Sequence, residues 1–205
     1  MTTRRASERP VPGKLLQLHL TLRHLQPPVW RRLLVSNRAS LFALHQLIQT
    51  TMGWDNSHMH AFYIGGVEYA GYATAQDCGV LCDEDFYLHQ LIKRRGQRFT
   101  YEYDFGDRWM HDILVEQTQP CPGEAPSARC LAGARACPPD DFGGPHTYAL
   151  FLRDRTSPDQ NVLARWGEPD WVRAFDPERF ELDAINRVLR YFQWVTGRSS
   201  LPAVK

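Results

Sequence analysis

The stretch FTYEYDFGDRWMHDILV, residues 99–115, decides the fold class. Apolar and polar side chains alternate in both of its halves, which are separated by a break at Gly106-Asp107. Strict alternation is typical of a β-strand with one buried face, and a short break containing glycine is typical of a hairpin turn. The stretch therefore predicts an antiparallel hairpin whose corner carries two carboxylates, Asp104 and Asp107.

Three other runs extend the predicted sheet. Residues 16–22 alternate strictly, residues 29–35 provide their antiparallel return, and residues 58–64 turn at Gly65-Gly66 into a short partner strand. Two consecutive glycines tolerate the positive φ angles of a tight hairpin. Strands joined mainly by tight turns favour a largely antiparallel sheet.

Helices are predicted between and after these strands. Ser40 is a suitable N-cap for a helix that runs through Met52 and stops at Gly53. Further helices are expected at residues 83–92, at residues 145–153, and from Asp176-Pro177 through Phe192 to a stop at Gly197.

The order of elements predicts a single α+β domain over residues 14–197. We expect helices on one face of the sheet and a helical C-terminal part. A disordered basic tail is expected at residues 1–13, and a C-terminal tail at residues 198–205.

The composition is that of an ordinary globular protein. A chain of 205 residues can build one good core, and 43% hydrophobic with 23% charged residues is typical of folded proteins. The net charge of +1 gives no global reason to expect nucleic acid or a membrane surface as partner. Because of local basic runs at residues 30–32 and 93–95, nucleic acid is not excluded as a binding partner, and neither is another protein. The second run is better interpreted as a cap, because cations complement the dipole at a helix C-terminus.

The sequence carries no address for export or membrane insertion. No apolar run reaches the roughly 20 residues of a membrane span. The basic residues 1–13 are not followed by the apolar stretch of a secretory signal. Five cysteines are an odd number in a chain without such a signal, so reduced thiols and a cytoplasmic location are expected.

Two histidines, His58 and His60, lie one pleat apart on a predicted strand. Side chains two residues apart on a strand point to the same face, so both rings could converge on a metal ion. The structural alternative, in which each ring is half-buried and bonded to a backbone carbonyl, is favoured. Neighbouring histidines are common, and a metal ion would need a third and a fourth ligand.

The corner of the 99–115 hairpin offers carboxylates and an imidazole. Such groups could perform general acid–base work or hold a divalent cation. They could also simply build the turn and the core beneath it, which is the favoured interpretation. The candidate pocket comprises Tyr103, Asp104, Asp107, Trp109, His111, Asp140 and Asp141.

Residues 117–144 form a long segment that is rich in Pro, Gly, Cys and Ala and lacks periodicity. Loops beyond roughly 12–15 residues are uncommon unless they are functional, so we expect this one to close over the hairpin corner and the two histidines. Its Cys130 and Cys137 have six residues between them, a wider spacing than structural zinc sites prefer. A zinc ion held by both thiols and a histidine nevertheless stays open.

Several blocks match a known pattern in the same order along the chain: PVWRR at residues 28–32, LHQLIQ at 44–49, YEYDFGDRWMH at 101–111, and CLAG with CPPDDFGG within 130–144. With these blocks the chain resembles the Ri-plasmid open-reading-frame-three-like family over about residues 14–195. The resemblance implies the fold, a bacterial origin and an association with mobile elements, and it supplies no catalytic residues. The family often has Glu at Asp140 and Cys at Phe142, which places a metal site using that third cysteine in doubt.

Two functions from different classes follow from these observations. The first is a non-enzymatic binding or accessory module, linked to mobile elements by the resemblance and favoured because no complete catalytic motif is present. The second is a metal-dependent hydrolase or nuclease-like enzyme that uses the His, Asp and Cys residues around one pocket. The fold alone does not choose between them, because function depends on the site.

Overall fold

The computed structural model describes residues 12–123, 128–167 and 169–191. Within these ranges the chain forms eight β-strands: β1 (Lys14–Leu22), β2 (Trp30–Ser36), β3 (His60–Ile64), β4 (Val67–Ala70), β5 (Leu81–Cys82), β6 (Arg98–Tyr103), β7 (Trp109–Pro120) and β8 (Arg129–Ala134). The same ranges contain seven α-helices: α1 (Leu41–Met52), α2 (Tyr72–Cys78), α3 (Leu88–Leu91), α4 (Gly144–Asp154), α5 (Gln160–Leu163), α6 (Pro169–Ala174) and α7 (Leu182–Leu189).

The strands form one sheet in the order β5-β4-β3-β6-β7-β1-β2-β8. Every neighbouring pair is antiparallel except β4 and β5, which are parallel. The hairpin predicted from residues 99–115 is the β6–β7 pair, and β3 lies beside it. The prediction of a single α+β domain with a largely antiparallel sheet is therefore confirmed.

One face of the sheet packs against the helices. The alternate leucines of β1, Leu16 to Leu22, are at most 2% exposed and belong to the hydrophobic core together with the apolar side of α1. The residues between them, such as Gln17 and His19, are half-buried on the opposite face. The Ser40 side chain accepts a hydrogen bond from Ala43 N, which confirms the predicted N-cap.

The basic run at residues 30–32 is divided between the two faces. Arg31 is 3% exposed and donates hydrogen bonds to the carbonyl oxygens of Thr51 and Ala134, both at 2.9 Å. Arg32 lies on the open face and binds the Glu116 carboxylate through hydrogen bonds of 2.6 and 2.9 Å. Both guanidinium groups are therefore engaged within the protein, and the run does not form a basic patch.

The segment at residues 117–144 is more regular than its sequence predicts. Strand β7 continues to Pro120, and β8 pairs with β2 at the edge of the sheet. The side chain of Asn186 in α7 pairs with both the N–H and the C=O of Cys130, at 2.9 and 2.8 Å. Burial does not alternate along β8, whose outer side is covered by α7, and its sequence therefore lacks the alternation of apolar and polar side chains that predicts a strand.

Other boundaries also differ from the expectations. Helix α2 lies where no helix was predicted, and the helix expected at residues 83–92 is reduced to a 3₁₀ turn at Asp83–Asp85 followed by α3. The basic residues 93–95 follow α3 in a turn, so they do not cap a long helix. Strand β3 begins at His60 rather than at residue 58, and the last helix begins at Leu182.

Several expectations concern residues that the structure does not describe. The two expected tails lie outside the described residues, except for residues 12 and 13. Phe192 and Gly197, at the expected end of the last helix, also lie outside them. Among the helices in the described ranges, none combines the length and the apolar character needed to cross a membrane.

Candidate functional site

The corner of the β6–β7 hairpin fixes the first functional side chain. Asp104 follows β6 with a φ of 57°, and its Oδ1 accepts hydrogen bonds from the backbone N–H groups of Gly106 and Asp107 at 2.9 and 3.2 Å. Its own N–H donates to the Met59 carbonyl at 2.9 Å. The carboxylate is 10% exposed and held by one oxygen, and its Oδ2 faces His58 at 3.8 Å. The turn architecture expected for Asp104 is therefore present, and it leaves the second oxygen for another role.

His58 lies between two carboxylates. Its Nε2 is 2.9 Å from Asp141 Oδ1 and 3.8 Å from Asp104 Oδ2. This nitrogen is buried, and the short contact with Asp141 lacks hydrogen-bond geometry, so Nε2 has no hydrogen-bond partner among the described residues. One donor atom from each of the three residues fits within a mutual distance of 4.8 Å.

The irregular loop that follows β8 supplies Asp141. The loop is fastened at two points: the Trp54 indole N–H donates to the Pro138 carbonyl at 2.9 Å, and the Gly143 N–H donates to Asp107 Oδ2 at 2.7 Å. These bonds bring the loop onto the hairpin corner beside His58. The site is thus assembled from the segment before β3, the β6–β7 turn and the loop before α4.

A second carboxylate of the loop, Asp140, lies beside this group. Its Oδ2 accepts hydrogen bonds from Asp55 N at 3.0 Å and from the Tyr103 hydroxyl at 3.3 Å, while its Oδ1 is buried without a partner among the described residues. Burial raises the pKa of Asp140. The pKa of Asp55 is lowered, chiefly by its hydrogen bond with the Ser57 side chain. Besides Asp107, the corner therefore gathers Asp55, Asp104, Asp140 and Asp141 around His58 and Tyr103.

The second predicted histidine belongs to a different environment. The His60 ring stacks on His45 with centroids 3.5 Å apart and planes 4° apart, and its Nε2 lies 2.9 Å from Asp83 Oδ2. Burial lowers the pKa of His60 to about 4 and raises that of Asp83 to about 7. Because His60 is partnered by Asp83, the structure does not bring the two predicted histidines together on one ion.

Trp109 and His111, two members of the predicted pocket, lie in the core. Both are 0% exposed, and both rings contact Trp54, with centroids 6.1 and 5.5 Å away. Burial lowers the pKa of His111 to about 4. These side chains belong to the core that packs beneath the corner, and they do not line an accessible surface.

The thiols of the two loop cysteines are buried and do not take part in the group of converging ligand atoms. Cys130 is on β8 and 2% exposed, and Cys137 packs against the core. Burial raises the pKa of both thiols, that of Cys137 to about 12. Neither thiol joins the group formed by His58, Asp104 and Asp141. All five cysteines are within the described ranges, and no disulfide joins any two of them.

Three residues of this region were not predicted from the sequence: His45, Asp55 and Asp83. His45 is 0% exposed on α1, with ring nitrogens that contact the Tyr101 hydroxyl at 2.8 Å and Asn56 Oδ1 at 2.5 Å. A histidine within the apolar stripe of a helix requires buried partners, and this was the available signal. The two aspartates lie in irregular segments, where no periodicity singles them out.

The donor set at the corner suits a divalent transition metal. One imidazole nitrogen and two carboxylate oxygens are ligands typical of Zn²⁺, Mn²⁺ and Fe²⁺ sites, and the set contains no thiolate. Ligands about 2.1 Å from one ion lie roughly 3 to 4 Å from each other. The spacing of the three groups is close to this range. Because the Asp141 side chain is 76% exposed, remaining coordination positions would face solvent.

Comparisons with known proteins agree with the fold. The chain is similar to "Uncharacterized protein y4hQ" of Sinorhizobium fredii (strain NBRC 101917 / NGR234), with 35% identity over 148 residues, which are 71% of this chain and 75% of that protein. The crystal structure of a protein of unknown function, MM3350 from Methanosarcina mazei Go1, has a TM-score of 0.72 and 24% identity, and the match covers 85% of this chain and 98% of that one. This structural likeness supports the fold alone.

The family comparison covers the whole of the described sheet. The family model for the plasmid pRiA4b ORF-3-like protein matches residues 14–184, a range that includes every strand and the three segments of the corner. The resemblance noted from the sequence blocks is thereby confirmed. The chain belongs to the plasmid pRiA4b ORF-3-like protein family.

Proposed function

We propose that this protein is a binding module for one divalent transition-metal ion, held by His58, Asp104 and Asp141. One observation carries the proposal: a buried imidazole nitrogen without a hydrogen bond faces oxygen atoms of two carboxylates at 2.9 and 3.8 Å. A buried polar atom is normally paired, and a cation between the three groups would satisfy all of them.

The charge of the corner supports a cation rather than an anion. Asp55 and Asp140 lie beside the three proposed ligands, and the ion pairs that the structure shows for Asp104 and Asp141 are both with His58. The nearby guanidinium of Arg108 turns instead to Glu102, with Nε 3.3 Å from the carboxylate. A concentration of carboxylates in a chain of net charge +1 favours a bound cation at this corner.

Metal analysis tests this proposal. The purified chain is equilibrated with Zn²⁺, dialysed, and analysed by mass spectrometry for metal per chain. We expect close to one ion for the wild type and much less for Asp104→Asn. His146→Gln is the matched control, because His146 is an exposed histidine on α4 outside the ligand group, and it should retain the ion. An equal metal content in Asp104→Asn and in the control would contradict the proposal.

A metal-dependent hydrolase is the second candidate, favoured by the exposure of Asp141. Three protein ligands with open coordination positions are typical of catalytic rather than structural metal sites, because the ion can then activate a water molecule. Hydrolysis of an activated phosphodiester, with and without added Zn²⁺ or Mn²⁺, distinguishes the two functions. Turnover that requires the metal and is lost in Asp104→Asn would identify an enzyme. Metal binding without turnover would leave the binding module.

A further inference from the structure

We infer that Asp107 is a positioning residue for the metal ion, which it does not itself contact. Its two hydrogen bonds, which we call the clasp, hold the loop that carries Asp141 against the turn that carries Asp104. This inference rests on the proposed function. Asp107 lies outside the group of converging ligand atoms, and its Oδ2 accepts the Gly143 N–H at 2.7 Å. Gly143 is two residues beyond Asp141.

Both hydrogen bonds of the clasp are made by Asp107. The backbone N–H of Asp107 donates to Asp104 Oδ1 at 3.2 Å, while its side chain holds Gly143. Asp107 therefore fixes the orientation of one proposed ligand directly and the position of another through the loop. The loss of a hydrogen bond that orients a metal ligand typically lowers the affinity for the metal 10–100-fold.

The backbone of the loop passes close to the backbone of the hairpin turn at Gly144. Gly144 has a φ of 83°, and a Cβ at this position would lie 2.7 Å from the Asp107 carbonyl oxygen. A side chain at residue 144 would be disfavoured by its φ and would also collide with the backbone of the turn. The close approach of the two segments thus depends on glycine at this position.

The residues on either side of Asp141 are held by other contacts, Asp140 by hydrogen bonds and Phe142 by aromatic packing, but its own carboxylate is not. The Asp141 side chain is 76% exposed, and the contact shown for its carboxylate is the one with His58. The bond from Gly143 to Asp107 is the one that ties this part of the loop directly to the turn that carries Asp104. Without the bond to Gly143, the loop would be less ordered before the ion binds. The free-energy cost of ordering it on binding would then weaken the affinity for the ion. The expected consequence is weaker metal binding with little change in the core of the protein.

Zn²⁺ affinity, measured by competition with a chromophoric chelator, tests the inference on three variants. We expect Asp107→Ala to weaken binding about 10–100-fold. Asp107→Asn should stay within about threefold of the wild type, because its amide oxygen can accept the same hydrogen bond. Gly144→Ala should weaken binding through its collision with the turn, so it serves as a second route if Asp107→Ala fails to fold. Circular dichroism at the assay temperature shows which variants are folded.

The outcomes separate this inference from the proposal beneath it. If the wild type binds no Zn²⁺, the proposed metal site itself is wrong. If the wild type binds Zn²⁺ and folded Asp107→Ala or Gly144→Ala binds it equally well, the clasp is overturned while the site stands. If Asp107→Asn is as weak as Asp107→Ala, the carboxylate charge rather than the hydrogen bond is needed, and the positioning role is also overturned.

Discussion

The Nε2 atom of His58 lies 2.9 Å from Oδ1 of Asp141, although the two residues come from separate irregular segments. His58 precedes β3, and Asp141 lies in the loop before α4 that Asp107 and Trp54 hold against the hairpin corner. The contact therefore depends on the packing of three parts of the chain. Its chemistry, an imidazole between two carboxylates, is the basis of the proposed metal site.

The buried carboxyl of Asp83 should make stability depend on pH. Burial raises its pKa from the ordinary 3.8 to about 7, so the folded state binds the proton more tightly than the unfolded state. The resulting stabilisation is complete below pH 3.8 and is lost as the pH rises through 7. Asp83→Asn should therefore gain stability relative to the wild type between pH 4 and 7, by up to roughly 4 kcal/mol, and level off above.

Urea unfolding of both proteins across this pH range measures the difference. His60, whose pKa is lowered to about 4, loses stabilisation in the opposite direction as the pH falls from 6.5, and because it contacts Asp83 the measured difference reports both groups together. Glu84→Gln, a change at an exposed carboxylate in the same 3₁₀ turn, is the control and should track the wild type. A constant difference between Asp83→Asn and the wild type at all pH values would show that folding does not raise the pKa of Asp83.

The hydroxyl of Tyr101 should contribute strongly to stability. It contacts His45 Nδ1 at 2.8 Å and accepts a hydrogen bond from Gln49 Nε2 at 3.0 Å in the fully buried space between β6 and α1. Tyr101→Phe would leave both partners unpaired, at a cost of about 1–3 kcal/mol for each group. Chemical denaturation measures the loss. Tyr72→Phe, at a tyrosine that is 61% exposed, should change stability by less than about 0.5 kcal/mol.

Asn186 should stabilise the edge of the sheet. Its side chain pairs with both backbone polar groups of Cys130 on β8, which would otherwise lack strand partners on that side. Asn186→Ala should lower the free energy of unfolding by about 1–3 kcal/mol and speed hydrogen exchange at the Cys130 amide. Asn161→Ala on α5, where the side chain is exposed, should do neither. Unchanged exchange at Cys130 would mean that α7 does not protect the edge.

The sequence predicted the central strands because their buried faces impose a period of two. The β6–β7 hairpin and β1 alternate in sequence as they do in burial, and Ser40 and Gly53 delimit α1 by capping rules. Strand β8 was not predicted, since its pairing depends on β2 on one side and on Asn186 on the other. Such tertiary support leaves no local pattern in the sequence.

The candidate site could be predicted only in part for a related reason. The corner motif indicated Asp104 and the loop indicated Asp141, because turn residues and long loops are visible in the sequence. The pairing of His58 and His60 rested on a strand that begins at His60, so the period-two argument did not apply to His58. Which histidine meets the carboxylates is decided by packing against α1, where His60 stacks on His45.

Isothermal titration of the whole chain with Zn²⁺ tests the central claim most directly. We predict one ion per wild-type chain, and binding at least about 100-fold weaker in His58→Gln and in Asp104→Asn, since each removes one of three ligands. Asp77→Asn, at an exposed carboxylate on α2, should bind as the wild type does. No binding to the wild type at millimolar Zn²⁺, or equal binding by all four proteins, would contradict a metal site formed by His58, Asp104 and Asp141.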